Sequence, residues 1–278
     1  MSWLLDHEPV VRFGVFVSIF AVMALWEIVA ARRELSTAKG PRWFANIGIT
    51  VLNAVVVRVL FPSAAVGAAL LAAERGWGLF NLVQAPPVLA VLGSLLALDF
   101  IIYLQHVIFH AVPLLWRLHM VHHADGDFDV TTGLRFHPLE IVISMLIKFA
   151  VVALLGPPAV AVLIFEVILN AASVFNHGNV RLPLSLDRVV RWFVVTPDMH
   201  RVHHSVDPRE TNSNFGFGVP WWDRLLGTYR SQPAEGHEAM AIGLGQFRDR
   251  RRQTLGWLLA LPFLGGTGTY PLGRRDSN

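Results

Sequence analysis

The chain has 278 residues, no cysteine and a formal net charge of +3. Hydrophobic residues make up 54% and charged residues 15%, against about 25% charged in soluble domains, and the mean hydropathy is +0.49. This composition excludes intrinsic disorder, which needs low hydrophobicity and high charge. The missing cysteines exclude disulfide frameworks, thiolate metal sites, iron–sulfur clusters and cysteine nucleophiles. The basic bias is too mild to argue for a nucleic-acid partner; in so apolar a chain, basic residues mark cytoplasmic loops.

The N-terminus carries Asp6, His7 and Glu8 and lacks the basic region of a secretory signal. Phe13 to Ala31 is apolar except for Glu27, long enough to span a bilayer. Arg32, Arg33, Lys39 and Arg42 follow, which predicts a cytoplasmic loop and an N-terminus outside. Trp43 to Pro62 is a second, weaker span, with Asn46 and Asn53 on one helical face pointing into a bundle. Ser63 to Ala73 is Ala/Gly-rich and reads either as an extension of that hairpin or as a re-entrant segment. Pro86 and Pro87 start a third span, Val88 to Val112. Leu139 to Leu155 and Ala159 to Phe175 form a fourth and fifth, joined by Gly156, Pro157 and Pro158. Both are short, so a re-entrant hairpin is the alternative. Leu255 to Leu264 suits an interfacial or buried helix better than a span. Counting crossings puts the ends of the third and fifth spans, and everything after Phe175, on the cytoplasmic side.

Twelve histidines are present, and ten lie between His106 and His204. His106 and His110 are four apart. His119, His122 and His123 form HxxHH, and His200, His203 and His204 repeat it. His137 stands in Arg-Phe-His-Pro and His177 in Asn-His-Gly-Asn. Offsets of three and four place side chains on one helix face, within reach of a common metal. The three spaced sets supply eight imidazoles, more than one four- to six-coordinate ion can use, so the pattern favours two metals. All ten fall on one membrane face by the crossing count. Isolated hydrogen-bonding histidines would explain one or two of them, but not three spaced sets. Imidazole suits zinc, copper, iron and nickel alike. The HExxH metalloprotease pattern is absent, and bis-histidine haem would leave most of the cluster unused.

These residues resemble the fatty acid hydroxylase/sterol desaturase superfamily of integral-membrane di-iron oxygenases. The resemblance runs from about Asp99 to Tyr229. It is carried by HVIFH at 106–110, LLWRLHMVHH at 114–123, RFHPLE at 135–140, NHGN at 176–179 and TPDMHRVHH at 196–204, with NSNFG at 212–216 and WWDRLLGTY at 221–229. It implies two Fe ions held by His106, His110, His119, His122, His123, His200, His203 and His204, with His177 and also His137 added. Some members carry a further histidine where Arg181 stands here, so the ligand count departs from theirs. The resemblance implies dioxygen as co-substrate, a lipid C–H bond as target, and hydroxylation or desaturation as outcome. Zinc would enter such sites only by misloading. The chain lacks the His-Pro-Gly-Gly haem motif, so a separate ferredoxin or cytochrome b5 with its reductase is the expected electron donor.

Asp99, Glu140, Asn176, Asn179 and Asp198 are candidates to hydrogen-bond ligand imidazoles from outside; for Asp99 the alternative is an ion pair with Arg58. Asp125, Asp127 and Asp129 read as a solvated loop, and Arg117 and Arg201 as contacts for phosphate headgroups. Trp221, Trp222 and Tyr229 read as interfacial anchors or local packing, and Lys148 and Glu166 as an intramembrane pair. The expected fold is all-α and membrane-integral, with four to five transmembrane helices and a cytoplasmic histidine-rich cap. The expected division is 1–98 for the N-terminal helices, 99–230 for the catalytic region and 231–278 for a cytoplasmic tail. A membrane zinc hydrolase is the alternative function; a transporter would need ligands along a path through the bilayer.

Overall fold

The computed structural model describes residues 2–249, 253–264 and 266–271, and these are largely helical. Five helical stretches among them are long and apolar enough to cross a membrane. They contain α1 (Glu8–Val29), α2 (Lys39–Leu60) followed by α3 (Ala64–Arg75), α4 (Pro87–Ala111), α6 (Pro138–Leu155) and α7 (Ala159–Asn176), with α5 (Pro113–His123) between α4 and α6. After α7 come α8 (Pro197–His203), α9 (Trp221–Leu226) and α10 (Leu255–Ala260), among shorter turns. No strand occurs among the described residues, only isolated bridges such as Ala31 with Val180. At 18 residues each, α6 and α7 are about 27 Å long, close to the thickness of a hydrocarbon core.

Proline sets several boundaries. Pro87, Pro113, Pro138 and Pro197 open α4, α5, α6 and α8, where the missing N–H costs nothing. Thr196 caps α8 by accepting from the Met199 N–H, as N-cap hydroxyls do. Between α6 and α7, Gly156 adopts φ +60, and a Cβ there would sit 2.3 Å from the Trp77 carbonyl oxygen. Both constraints require glycine at the turn.

Small residues let the helices approach. Ala65, Val66 and Ala69 of α3 pack on Val152 of α6 and on Val162 and Leu163 of α7, so the Ala/Gly-rich stretch is a helix within the bundle. A second cluster joins Ala45 and Ile49 of α2, Trp116 and Met120 of α5, and Leu258 of α10 with Leu261. The apolar segment at 255–264 therefore buries one face, through Leu258 and Leu261, while Phe263 and Leu264 stay exposed. Residues 272–278 of the 231–278 tail lie outside the described residues. Large apolar side chains remain exposed along the long helices, among them Phe13, Val29, Phe44 and Leu154. Such a surface suits lipid and not water.

Asn46 and Asn53 are buried as their spacing indicates. Lys148 and Glu166 pair at 2.7 Å, and Arg12 adds a contact of 3.1 Å to the same carboxylate. Two expectations are corrected. Asp125, Asp127 and Asp129 are not solvated but buried. Asp125 and Asp129 bind the buried Arg42 guanidinium, and Asp127 accepts from the Ser36 and Thr37 backbone N–H groups. Arg201 does not face headgroups: it is buried against Asp198. A buried guanidinium needs a carboxylate partner, and each has one.

Candidate metal centre

The histidines gather at one end of the bundle. His106 and His110 occupy the last turns of α4, and α5 carries His119, His122 and His123. His177 caps the end of α7. His200 and His203 lie on α8, and His204 caps it. All nine are at least 93% buried. They form two groups within which every residue offers a ring nitrogen less than 4.8 Å from the others. One group is His106, His110, His119, His123 and His203; the other is His122, His177, His200 and His204.

Helix geometry explains the sorting. Residues four apart are rotated about 40° around the axis, and residues three apart about 60° the other way. In each HxxHH the first and last histidines therefore share a group and the middle one joins the other. His119 and His123 stand with His203, while His200 and His204 stand with His122. Each motif serves both groups.

The ring nitrogens are arranged as metal ligands would be. Nε2 of His106 lies 3.1 Å from Nε2 of His119, and the same separation joins His122 to His177 and His177 to His200. Two nitrogens bound to one ion at right angles, each at about 2.1 Å, would be about 3.0 Å apart. Nε2 of His110, His123 and His203 is buried without a partner, as are both ring nitrogens of His204. Burial with mutual repulsion holds His122, His123, His200 and His204 well below the usual histidine range. Burial, with a smaller contribution from neighbouring histidines, lowers His177 and His203 to about 3, against the opposing bonds to the Ser173 and Ser213 carbonyls. Neutral imidazole is the form that metals bind. The donor set thus fits two metal ions.

The outer nitrogens are held by a second ring of contacts. His119 Nδ1 meets Glu140 Oε1 at 2.7 Å, and His110 Nδ1 meets Asn212 Oδ1 at 3.1 Å. His106, His177 and His203 turn Nδ1 toward the carbonyl oxygens of Phe215, Ser173 and Ser213. Such contacts fix ring orientation and tautomer. The Phe215 segment is itself anchored by Asp223 of α9, which accepts from the Phe215 and Gly216 N–H groups and from the Thr228 hydroxyl. Burial raises the Asp223 carboxyl to about 6. A Cβ on Gly216 would stand 2.6 Å from that carboxylate, so the close approach needs glycine.

Of the five supporting residues expected from the sequence, Glu140 reaches an imidazole of the two groups. Asp99 instead accepts from the Trp222 indole N–H, and Arg58 donates to the Pro62 carbonyl. The Asn176 amide donates to the Phe217 carbonyl. Asn179 ties Arg33 to the end of α7, and Asp198 pairs with Arg32 and Arg201. His137 stands outside both groups: its Nδ1 accepts from the Leu139 N–H at the start of α6, and its Nε2 faces the Leu259 carbonyl. Asn212 and Asp223 carried no histidine-like spacing that would single them out. The carbonyl partners carry no residue identity at all.

The family model for fatty acid hydroxylases matches residues 91–228. The chain belongs to the fatty acid hydroxylase family. Among its relatives, ornithine lipid hydroxylase of Rhizobium tropici is 28% identical over 79% of this chain and 67% of its own length. Alkylglycerol monooxygenase of Xenopus tropicalis is 29% identical over 69% and 42%, and cholesterol 25-hydroxylase of Rattus norvegicus is 31% identical over 51% and 47%. The chain therefore spans about two thirds of the first and less than half of the other two. No solved structure gives a significant match. The family match places the nine clustered histidines inside one fatty acid hydroxylase domain, overlapping the 99–230 region that carries the motifs.

Proposed function

We propose that the chain is a membrane lipid hydroxylase that holds two irons, one on His106, His110, His119, His123 and His203 and one on His122, His177, His200 and His204. The carrying observation is the pair of buried, all-imidazole groups at one end of a bundle of membrane-length helices. Five and four nitrogens exceed or fill the closed tetrahedron of structural zinc, and octahedral iron with open positions uses them better. The relatives carry hydroxylase and monooxygenase names, so the zinc-hydrolase alternative has no support. His137 is a helix cap in this reading and not a ligand.

The irons would supply dioxygen activation, with the balance R–H + O2 + 2 e⁻ + 2 H⁺ giving R–OH + H2O. The chain supplies the rest. Glu140, Asn212 and the three carbonyls hold the rings in register. Phe136 stacks on His122 at 4.5 Å, and Phe215 packs edge-on to His106, His110 and His203, which keeps water from the rings. A cavity of about 380 Å³ runs from Phe136, Glu140 and Ser173 into the bundle toward Lys148 and Glu166, and gives a lipid a route to the histidines. A larger cavity of about 600 Å³, lined by Met23, Leu95, Phe165 and Phe175, lies on the other side of α7; the smaller one is the better substrate site because its lining residues touch the imidazoles.

The two electrons come from a separate donor of ferredoxin or cytochrome b5 type. Arg32 donates to Asp198 and its backbone N–H to the Asn179 carbonyl, so the basic loop after α1 and the histidine cap share one side. The basic residues favour the cytoplasm for that side. Turnover of iron-loaded protein with a reductant system, a bacterial lipid extract and ¹⁸O2 tests the reading. One ¹⁸O atom in a lipid product is expected; oxygen taken from water, or no oxidised lipid, would overturn it.

A further inference from the structure

The cavity beside the histidines is not uniformly apolar. Four of its lining residues hold oxygens that are buried without a hydrogen-bond partner. Glu166 Oε2 has the Arg12 guanidinium 3.1 Å away, which leaves three, Asn53 Oδ1, Gln105 Oε1 and Glu140 Oε2, with no partner of either kind. Asn53 is 7% exposed and Glu140 4%. Their other polar atoms are committed. The Asn53 amide donates to the Phe136 carbonyl and the Gln105 amide to the Ser144 hydroxyl, while Glu140 Oε1 meets His119. For Asn53, bound to a carbonyl, and for Glu140, a carboxylate, the atom left over is an acceptor; the Ser144 hydroxyl both donates and accepts, so Gln105 can turn either its oxygen or its N–H to the cavity.

All three sit at the histidine end. Gln105 directly precedes His106, Glu140 holds His119, and Asn53 binds the carbonyl of Phe136, whose ring stacks on His122. The charges at the opposite end satisfy each other: Glu166 is paired with both Lys148 and Arg12, and Arg12 also with Glu8. A buried acceptor without a donor costs free energy, so the occupant that fits is one bringing donors to the metal end.

Building on the hydroxylase reading, we propose that the substrate is a lipid whose polar part carries hydrogen-bond donors, as free hydroxyl, amide N–H or ammonium groups, seated on Asn53, Gln105 and Glu140. The apolar chain then runs past Ile102, Ile141, Met145 and Leu169. The polar part lies next to the histidines, and the tail fills the bundle.

Equilibrium binding to the detergent-solubilised full chain tests this without turnover. Probes are three radiolabelled lipids of equal chain length: one with a free diol, one with a primary amine, and the diol capped as its dimethyl ether. The diol or the amine is expected to bind about tenfold more tightly than the ether, as two gained hydrogen bonds would give. Which of them leads identifies the donor. The Asn53→Leu and Gln105→Leu double variant should lose most of that preference while still binding the ether, which also shows that it is folded. Equal binding of all three by the unaltered chain, or a preference untouched in the variant, would overturn the proposal. Oxidation of the ether as readily as the diol, with equal binding, would leave the hydroxylase reading standing and remove only this one. A donor preference without any ¹⁸O incorporation would do the reverse.

Discussion

Glu140 and His137 begin the same stretch of chain and make opposite demands on experiment. Glu140 orients His119 through a 2.7 Å contact, so Glu140→Gln should lower activity or metal affinity about 10- to 100-fold, the usual effect of removing such a support. Titration of the apoprotein with ferrous iron reads this; unchanged affinity and turnover would mean that Glu140 only fills space. His137 touches neither group, so His137→Ala should leave the metal stoichiometry intact. It should cost about 1 kcal/mol in stability as a lost helix cap. Loss of one metal equivalent in that variant would return His137 to the ligand set. At this scale the sequence was informative where spacing carries the signal. Offsets of three and four on α5 and α8 single out six imidazoles because a helix turns those offsets into neighbours. The supports of those imidazoles were less legible, since three are backbone carbonyls, and Asn212, although it opens the NSNFG motif, has no spacing that ties it to His110 until the chain is folded.

Between elements, the buried acids after α5 tie α2 to the histidine helices. Arg42 binds Asp125 and Asp129, and Asn46 reaches Asp125 and Thr131. Arg135 donates to the Val121 carbonyl at the end of α5 and to Gln253. Arg42→Met removes the cation and leaves two buried carboxylates facing each other. It should destabilise the protein by about 3–5 kcal/mol, read as a large fall in the apparent melting temperature in detergent. A shift within a degree of the unaltered chain would show that this network is dispensable. Three acids in five residues look solvated in sequence because their partners lie far back in the chain, with Arg42 83 positions before Asp125. The long apolar stretches, by contrast, were legible from hydropathy, and Asn46 and Asn53 from their shared face. The Ala/Gly-rich α3 was ambiguous because small residues specify close packing without saying against which partner.

For the whole molecule, orientation follows from one question: on which side of the membrane the histidine cap lies. The absence of cysteine makes single-cysteine labelling clean. Glu235→Cys on the cap side should react with a membrane-impermeant maleimide only after cells are opened. Glu74→Cys, exposed near the turn that meets Gly156 at the opposite end, should react in intact cells. The reversed pattern would place the histidines outside and remove the case for a cytoplasmic electron donor.

The central claim is that the nine buried imidazoles hold two metal ions of one chemical kind in two separate groups. Iron content combined with Mössbauer spectroscopy, after anaerobic reconstitution with ferrous iron and oxidation, tests it most directly. The account predicts two irons per chain, magnetically coupled once oxidised. One iron per chain or none, in folded protein reconstituted under reducing conditions, would contradict it.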